Sequence, residues 1–372
     1  MKTIVHIDLN AFFAQCELLS DPTLKGKPIA IAYDSKRSVL STASYEARAF
    51  GVNSAMPVST AKRLCKNLVI IPPHFELYSY HSKHFFSYLK KRYPILEQAS
   101  IDECYIDMSD DIPMGKEQEY LFDLQMTLYR VTKLKCSIGC GANRFLAKMG
   151  SDMKKPLGLT ILNQGNIPTL LWPLAISKMY GIGKKTAPKL MEAGVLTIGD
   201  LAHCEDPKVK KILGNNFEYF KGHAQGFGSD FIDNSAFDPK SMSSERTFQE
   251  DAFFEEGVEM IKKCCEEVCQ ELHKYHKKAL SVGVKLRTPD FVTKSRRTSF
   301  SEPIDDVASL FAYAMKVFEQ LYKDQPIRLI GVSIERVIDI EENKEDDHLI
   351  EQWNSQLEYG GKIIKASDIV KK

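Results

Sequence analysis

Three acidic residues stand in or beside apolar runs, where the core of a β-strand would ordinarily carry no charge. Asp8 ends the run Thr3–Leu9, and Asp102 and Glu103 lie inside Ser100–Asp107. Burying an unpaired carboxylate is costly, so such a group takes up a proton, a partner or a metal ion. If the two runs are neighbouring strands, the three carboxylates form an all-oxygen cluster suited to hard cations such as Mg²⁺. The alternative is a solvated turn between two strands of a hairpin.

The chemistry expected of such a cluster is phosphoryl transfer. Two divalent ions held by shared carboxylates can hold the attacking and leaving oxygens of an in-line displacement. Neighbouring side chains on a flat strand point to opposite faces, so Asp102 and Glu103 both reach metal only if the backbone twists or turns at Ser100–Glu103. Otherwise Asp8 and Asp102 are the main ligands and Glu103 approaches from the side.

Residues that bind anions occur at two further places. Thr42, Tyr45 and Arg48 lie at a predicted strand–helix junction, where a hydroxyl, a phenol and a guanidinium could grip a triphosphate. Tyr45 and Arg48 are three residues apart and share a helix face, and the helix N-terminus favours anions. Lys148 is a second candidate, as a phosphate-binding point charge. The alternatives are a structural Tyr–Arg pair and a solvated lysine.

A glycine-rich segment at 179–190, followed by 195–201, resembles a helix-hairpin-helix. In that motif, backbone N–H groups at a helix start contact a DNA phosphate, which fixes position and carries no sequence information. The alternative is a structural helix turn. The candidate DNA contacts are Gly181, Gly183, Lys184, Lys185 and Thr186.

A basic run lies near the C-terminal end of the chain. Between residues 274 and 297 eight lysines and arginines are opposed only by Asp290. Lys285, Arg287 and Lys294 fall on strands that are predicted to pair, so they could form a positive stripe along a duplex backbone. A solvated sheet face is the alternative. The candidate contacts are Lys285, Arg287, Lys294, Arg296 and Arg297.

Length and composition limit the class of protein. A chain of 372 residues suggests two to four domains, and 44 % apolar with 27 % charged residues is typical of a soluble globular protein. The nine cysteines form no C-x-x-C pair, which favours free thiols in a reducing cytosol. No apolar run approaches the roughly 20 residues of a membrane span. We expect a soluble cytoplasmic protein.

The order of predicted elements indicates how these candidates are positioned. Strands and helices alternate across 1–162, which predicts an α/β sheet with helices packed on it. Only helical signals remain across 166–227. A polar stretch then reads as a linker, and the following strands and helices form a β-α-β-β-α-β unit. The long helices are predicted at 75–92, 117–133 and 144–153, and the central strands at 3–9 and 136–141.

Together these motifs resemble the Y-family (translesion) DNA polymerases, and most closely their DNA polymerase IV (DinB) branch. The resemblance covers residues 1 to about 340 in collinear order. It is carried by the helix-hairpin-helix and by Ile7–Ala14, Tyr45–Arg48, Ser100–Asp107 and Lys148 with Lys154–Pro156.

The resemblance implies a multidomain α/β protein built as a right-hand polymerase. It implies low-fidelity, template-directed DNA synthesis by two-metal nucleotidyl transfer from a dNTP to a primer 3′-OH, without proofreading. The implied parts are a ferredoxin-like palm (1–10 and 74–165), small fingers (11–73), a helical thumb (166–228), a linker (229–242), a little finger (243–340) and a C-terminal tail (341–372).

The resemblance also implies roles for individual residues. Phe13 falls at the steric-gate position, where an aromatic ring excludes a ribose 2′-hydroxyl. Ordinary core packing is the alternative, which Phe12 satisfies better, since one of two adjacent rings should face outward.

The resemblance further implies the metal and nucleotide contacts. Two Mg²⁺ ions would be held by Asp8, Asp102, Glu103 and the Leu9 carbonyl. The dNTP would be contacted by Phe12, Phe13, Thr42, Tyr45, Arg48 and Lys148.

Two positions depart from the family pattern, and neither is an implied metal ligand. Asn10 stands where an acid is commoner, and Cys104 where a small residue is commoner.

The expected partners are primer–template DNA and a dNTP. We expect no association with a membrane, and we expect a monomer. A sliding clamp stays open as a partner, because Ile363–Lys372 shows no Q-L-x-L-F peptide and Gln356–Tyr359 is a poor relative of one.

Overall fold

A computed structural model of the chain describes residues 2–235 and 237–340. These residues form two compact units that divide at residue 236. All nine cysteines are free thiols, as predicted. No helix in the described ranges is long and apolar enough to cross a membrane.

The first unit contains a five-stranded and a three-stranded sheet. Its strands are β1 (Ile4–Leu9), β2 (Ile29–Ile31), β3 (Thr42–Ala43), β4 (Val69–Ile71), β5 (Leu96–Gln98), β6 (Glu103–Asp107), β7 (Cys136–Gly141) and β8 (Leu159–Leu162). The large sheet has the order β5-β6-β1-β7-β8, and the small one has the order β3-β2-β4. β1 is central and pairs antiparallel with β6 and β7, so the predicted neighbourhood of the two acidic runs is confirmed.

Eleven α-helices in the described part of the first unit pack on or follow these sheets. They are α1 (Phe12–Ser20), α2 (Tyr45–Arg48), α3 (Val58–Leu64), α4 (Phe75–Arg92), α5 (Glu117–Thr132), α6 (Arg144–Met153), α7 (Ile167–Leu170), α8 (Ala187–Glu192), α9 (Ile198–Ala202), α10 (Pro207–Leu213) and α11 (Phe217–Ala224). The predicted helices at 75–92 and 144–153 are confirmed to the residue. Across 166–227 the structure is helical, as predicted.

The two faces of the large sheet have different neighbours, because side chains alternate along a strand. Val5, Ile7 and Leu9 of β1 lie in the main core with residues of α4 and α5. Ile4 instead packs with Ala147 of α6. His6 and Asp8 share the face of Ile4, so α6 covers the face of the sheet that carries the acidic residues.

Glycine allows α6 to lie close to β7. A Cβ atom on Gly139 would stand 1.9 Å from the carbonyl oxygen of Ala147 and 2.3 Å from the amide nitrogen of Ser151. Gly150 of α6 faces Gly139 of β7. A Cβ on Gly150 would stand 3.1 Å from the Gly139 Cα. This contact between two glycines sets the distance of Lys148 from the sheet.

Gly139→Ala is therefore expected to destabilise the protein by at least about 1–3 kcal/mol, because the added methyl group forces helix and strand apart. The measurement is the urea midpoint of unfolding, followed by circular dichroism. Gly222→Ala in α11 is the matched control: a Cβ there meets nothing within 4 Å, and alanine favours a helix. Equal midpoints for the two variants would contradict the packing argument.

The second unit is built as the predicted β-α-β-β-α-β order with one additional short strand. Its sheet has the order β11-β10-β12-β9, with β13 paired to β10, where the elements are β9 (Met242–Ala252), α12 (Phe254–Lys274), β10 (Lys277–Arg287), β11 (Thr293–Ile304), α13 (Val307–Leu321), β12 (Ile327–Ile334) and β13 (Val337–Asp339). The sequence suggested a single strand where β12 and β13 now lie. The two helices and the inner sheet face enclose one hydrophobic core.

The first part of the predicted linker is held against the first unit. Ile232 is 7 % exposed and packs with Ile4, Tyr105 and Ala147. The backbone amide of Asp233 donates to Glu97 Oε2 at 2.9 Å. Residues 229–233 are therefore not a free coil. Nothing in the polar sequence of this segment indicated these contacts.

Candidate active site

The three acidic residues meet at one end of the large sheet. Asp8 near the end of β1 and Glu103 at the start of β6 are directly opposed in the strand register. Asp102 precedes β6, and its carbonyl oxygen accepts a hydrogen bond from the Leu9 amide at 2.9 Å. All three side chains are partly exposed, so they form an accessible acidic site and not a sealed one.

The backbone turns between β5 and β6, which allows consecutive carboxylates to approach the same site. The Ser100 hydroxyl accepts hydrogen bonds from the amides of Asp102 and Glu103, each at 3.1 Å. It donates to Asp102 Oδ1 at 2.6 Å. The predicted irregularity at Ser100–Glu103 is thus confirmed, and the segment is at the same time the hairpin turn of the alternative interpretation.

Two lysines neutralise the carboxylates. Lys148 Nζ lies 2.7 Å from Glu103 Oε2 and 3.3 Å from Asp8 Oδ2. Lys155 Nζ lies 2.7 Å from Asp8 Oδ1 and 2.8 Å from Asp152 Oδ1. Lys148 is a predicted site residue, whereas Lys155 and Asp152 were given no role. The spacing of Asp152, four residues after Lys148 and three before Lys155, was the signal that could have indicated this network.

The pKa directions follow from these contacts. The contact with His6, and then the Lys148 ammonium, lower the pKa of Glu103 to about 2 against the opposing effect of burial. Burial raises the pKa of Asp102, while Ser100 opposes that change. Burial also acts to lower the pKa of Lys148, but the carboxylates of Asp152 and Asp8 outweigh it and raise that pKa. Both Glu103 and Lys148 are therefore charged at neutral pH.

A cleft of about 230 Å³ opens beside Asp8 and Asp102. Most of the residues predicted to hold metal or nucleotide line it, but Glu103 and Lys148 do not. Lys155 and Ser54 line it although they were not among the predicted site residues. Its walls are Asp8, Leu9, Ala11, Phe12, Phe13, Ser41, Thr42, Tyr45, Arg48, Ser54, Asp102 and Lys155.

The two adjacent phenylalanines differ in exposure, as predicted. Phe12 is 2 % exposed and belongs to the main core, whereas Phe13 is only partly buried. The Phe13 ring stacks on Tyr78, with centroids 4.3 Å apart and planes 12° apart. The Tyr78 hydroxyl donates to Glu17 Oε1 at 2.5 Å, so the wall behind Phe13 is fixed by a hydrogen bond that sequence reasoning missed.

The predicted anion-binding pair also lines the cleft. The Arg48 guanidinium lies over the Tyr45 ring, 4.9 Å from its centroid, and its Nε donates to the Ala43 carbonyl at 3.0 Å. The Tyr45 hydroxyl is buried and makes no hydrogen bond within the described residues. A buried hydroxyl without a partner is unfavourable, so a ligand in the cleft is a suitable partner for it.

The predicted helix-hairpin-helix has its glycines in the turn before α8. Gly181 has φ +90° and a Cβ there would stand 2.8 Å from the Phe220 ring, so the backbone conformation and the packing both favour glycine. Lys184 and Lys185 are exposed, and the amide of Thr186 closes the turn by donating to the Gly183 carbonyl at 3.0 Å.

The basic run of the second unit differs from the prediction. β10 and β11 pair as expected, but Lys294 opposes Leu286 and Arg296 opposes Val284. Paired residues share a face, so these two lie on the core side, opposite to Lys285. The prediction that Lys285, Arg287 and Lys294 form a stripe on one face of the sheet is therefore wrong.

Acidic side chains from outside the basic run contact many of its lysines and arginines. Five of its eight members form ion pairs with carboxylates outside residues 274–297, and all of these acids except Glu271 are distant in the sequence. Because those acids lie outside 274–297, the sequence window did not show them. The pairs are Lys274–Glu271, Lys277–Asp238, Lys278–Asp305, Lys285–Glu245 and Arg297–Glu335.

The donor set fits a hard divalent cation. Carboxylate and backbone carbonyl oxygens are the ligands that Mg²⁺ prefers, and Asp8, Leu9 and Asp102 of the cleft lining carry such groups. Within the described ranges no three His, Cys, Asp or Glu side chains are already arranged as a coordination shell. The lysine ammonium groups lie among the carboxylates instead.

Comparison with known proteins agrees with this geometry. Residues 7–152 match the impB/mucB/samB family, 239–348 match the C-terminal domain of that family, and 165–195 match the IMS family HHH motif. DNA polymerase IV of Bacillus velezensis is 36 % identical over 388 residues, covering 100 % of this chain and 94 % of that protein. The chain belongs to the Y family of DNA polymerases. Its relatives place it in the DNA polymerase IV branch.

Further relatives agree with the family and the fold. DNA polymerase IV of Oceanobacillus iheyensis is 37 % identical over 338 residues, covering 90 % of this chain and 81 % of that protein. A solved Y-family DNA polymerase chimera of Dbh and Dpo4 has a TM-score of 0.82 at 25 % identity, covering 91 % of this chain and all of that one. The predicted multidomain α/β polymerase fold and the DNA-directed DNA polymerase class are confirmed, and family membership implies dependence on a divalent metal.

Proposed function

We propose that the cleft beside Asp8 and Asp102 is the nucleotidyl-transfer site of this translesion DNA polymerase. The observation that carries the assignment is the composition of the cleft, in which carboxylates and the Tyr45–Arg48 pair face one space of about 230 Å³. A dNTP offers matching groups, because its triphosphate needs cationic partners and its reacting α-phosphate must lie near the metal ligands.

The metal ligands proposed are the carboxylates together with the Leu9 carbonyl. Two Mg²⁺ ions held there would activate the primer 3′-oxygen for attack on the α-phosphate and neutralise the departing pyrophosphate. The strand register and the Ser100 turn hold Asp8, Asp102 and Glu103 together before any ion binds. Lys148 supports Glu103 from the side of α6.

The proposed nucleotide contacts are side chains that line the cleft. Thr42, Tyr45 and Arg48 would bind the triphosphate, and the unpartnered Tyr45 hydroxyl would donate to a phosphate oxygen. Lys155 lines the cleft, so its position supports a phosphate contact better than that of Lys148. Phe13, stacked on Tyr78, would lie against the sugar.

A primer-extension gel with one dNTP at a time tests the function. Lengthening of the primer is expected, and repeating the gel on a damaged template tests lesion bypass. Shortening of the primer would indicate a nuclease with a helix-hairpin-helix, and an unchanged primer would indicate a DNA-binding relative that has lost activity.

The helix-hairpin-helix and the open face of the second unit are the proposed duplex contacts. Gly181, Gly183 and Thr186 would present backbone amides to a phosphate, and Lys184 and Lys185 would supply charge. In the second unit the open sheet face carries Lys285, Arg287 and Arg297, whereas Lys294 and Arg296 would reach DNA only from the edge strand β11.

The double variant Lys184→Ala, Lys185→Ala is expected to weaken DNA binding about equally for all sequences. Each lost phosphate contact lowers the slope of log K against log salt by about 1. Fluorescence anisotropy of a labelled primer–template at several salt concentrations measures this slope. Lys274→Ala is the control, because Lys274 lies at the end of α12 and is not among the proposed duplex contacts. An unchanged slope for the double variant would remove these lysines from the interface.

We propose a monomer that acts on DNA in the bacterial cytoplasm, because one chain carries every predicted contact of the site. The domain limits drawn from the sequence stay predictions. The weak clamp-like segment Gln356–Tyr359 lies outside the described residues, and a sliding clamp stays an open partner.

A further inference from the structure

His6 is a buried residue to which the proposed mechanism gives no role. It lies in the middle of β1 on the face covered by α6, and its side chain is fully buried. Its ring packs on Tyr105, with centroids 4.5 Å apart. A polar ring in this position needs partners for both nitrogen atoms.

The two ring nitrogens face different elements. Nδ1 lies 2.8 Å from the Ser151 hydroxyl of α6. Nε2 lies 3.3 Å from Glu103 Oε2, but the pair is poorly aligned, and Nε2 makes no satisfactory hydrogen bond with any described residue. The buried nitrogen thus lies beside the carboxylate and has no other partner among the described residues.

The hydrogen atoms can be assigned from the partners. An ionised carboxylate only accepts hydrogen bonds, so the favoured ring state has a hydrogen on Nε2. In the neutral ring Nδ1 then accepts, and the Ser151 hydroxyl must donate to it. Ser151 has an alternative acceptor in the Lys148 carbonyl, 2.9 Å away, so it can serve either tautomer but holds the ring in place in both.

Lys148 and His6 both lie close to the same oxygen of Glu103. Lys148 Nζ is 2.7 Å from Oε2, and His6 Nε2 approaches that same Oε2 from inside the sheet. Contacts to one oxygen from two sides restrain the position of the carboxylate. The other oxygen, Oε1, is the one that these two contacts leave for a metal ion.

We propose that His6 and Ser151 are positioning residues that orient the Glu103 carboxylate so that Oε1 is presented to a divalent metal. This inference rests on the proposed function, because it takes Glu103 as a metal ligand. Partners of metal ligands commonly act in this way, and their loss typically weakens metal binding 10- to 100-fold.

The test is Mn²⁺ binding to the protein without DNA or nucleotide, measured by electron paramagnetic resonance. His6→Phe keeps an aromatic ring against Tyr105 and removes both nitrogens, so Mn²⁺ binding is expected to weaken about 10- to 100-fold. His6→Gln can still place an N–H near Glu103 and is expected to recover most of the affinity. Ser151→Ala is expected to give a smaller loss in the same direction.

Two controls separate positioning from a general loss of structure. Thermal melting of each variant shows whether the fold is retained, and Ser151→Ala keeps the test decisive if His6→Phe does not fold. In a Glu103→Ala background, His6→Phe should cause no further loss of Mn²⁺ affinity. Wild-type affinity in both His6→Phe and Ser151→Ala, or an equal loss without Glu103, would overturn the proposal.

Failure of this inference can be distinguished from failure of the proposed function. If Asp102→Ala loses Mn²⁺ binding and primer extension while His6→Phe retains Mn²⁺ affinity, only the positioning role is wrong. If Asp102→Ala retains both properties, the metal site itself is placed wrongly.

Discussion

Asp102→Ala is expected to abolish primer extension and to leave DNA binding intact. Asp102 lies in the turn before β6, and Ser100 donates to its carboxylate from within that turn. The side chain borders the cleft and is in no strand pairing, so its removal costs the fold little. Loss of one carboxylate from a two-metal site removes several kcal/mol of transition-state stabilisation. We expect the rate to fall about 10³-fold or more, which corresponds to about 4 kcal/mol.

The measurements are single-turnover primer extension and anisotropy with the same labelled primer–template. Asp107→Asn is the matched control, because Asp107 lies at the far end of β6 and pairs with Lys2. That variant is expected to extend primers at the wild-type rate. Undiminished extension by Asp102→Ala would refute the metal assignment, and a parallel loss of DNA binding would show that the change acts through the fold.

Phe13→Val is expected to raise incorporation of ribonucleotides relative to deoxyribonucleotides. The Phe13 ring forms part of the cleft wall and is held in one orientation by its stack on Tyr78. A smaller side chain opens space where a 2′-hydroxyl would otherwise clash. Changes of this size in an apolar pocket are worth about 1–3 kcal/mol, so discrimination should fall about 10- to 200-fold.

Competing rNTP and dNTP incorporation opposite the same template base gives this ratio directly. Phe75→Val is the control, because the Phe75 and Phe13 rings meet edge to face with centroids 6.2 Å apart but Phe75 is not among the residues that line the cleft. Its discrimination should stay near the wild-type value. If Phe13→Val lowers stability without changing the ratio, then Phe13 is a packing residue and the gate lies elsewhere.

Much of the fold was predictable because its signals are local. The helix at 75–92 matches α4 to the residue, since its aromatic and apolar residues face one side. α6 begins at the predicted residue because Asn143 caps it, with its side chain accepting from the Leu146 amide at 2.9 Å. The division of 328–337 into two strands was missed, because β13 forms only by pairing with β10.

The part of the candidate site that could be predicted is the part whose charged residues interrupt apolar segments. Asp8, Asp102 and Glu103 are conspicuous because a charged side chain is unfavourable in an apolar strand. Lys155, His6 and Ser151 carry no such signal, since a lysine after a helix and a histidine or serine within regular elements are ordinary.

Residue types and short spacings were therefore enough for the elements, the acidic cluster, the turn at Ser100 and the outward-facing Phe13. Contacts between distant segments set the rest. Strand register placed Glu103 opposite Asp8 and turned Lys294 away from Lys285, because a shift of one residue exchanges the faces of a strand. The glycine contact between β7 and α6 set how close Lys148 and Ser151 come to the sheet. Four of the five carboxylates that pair with the basic run lie far away in the sequence, and folding alone brings them within ion-pair distance.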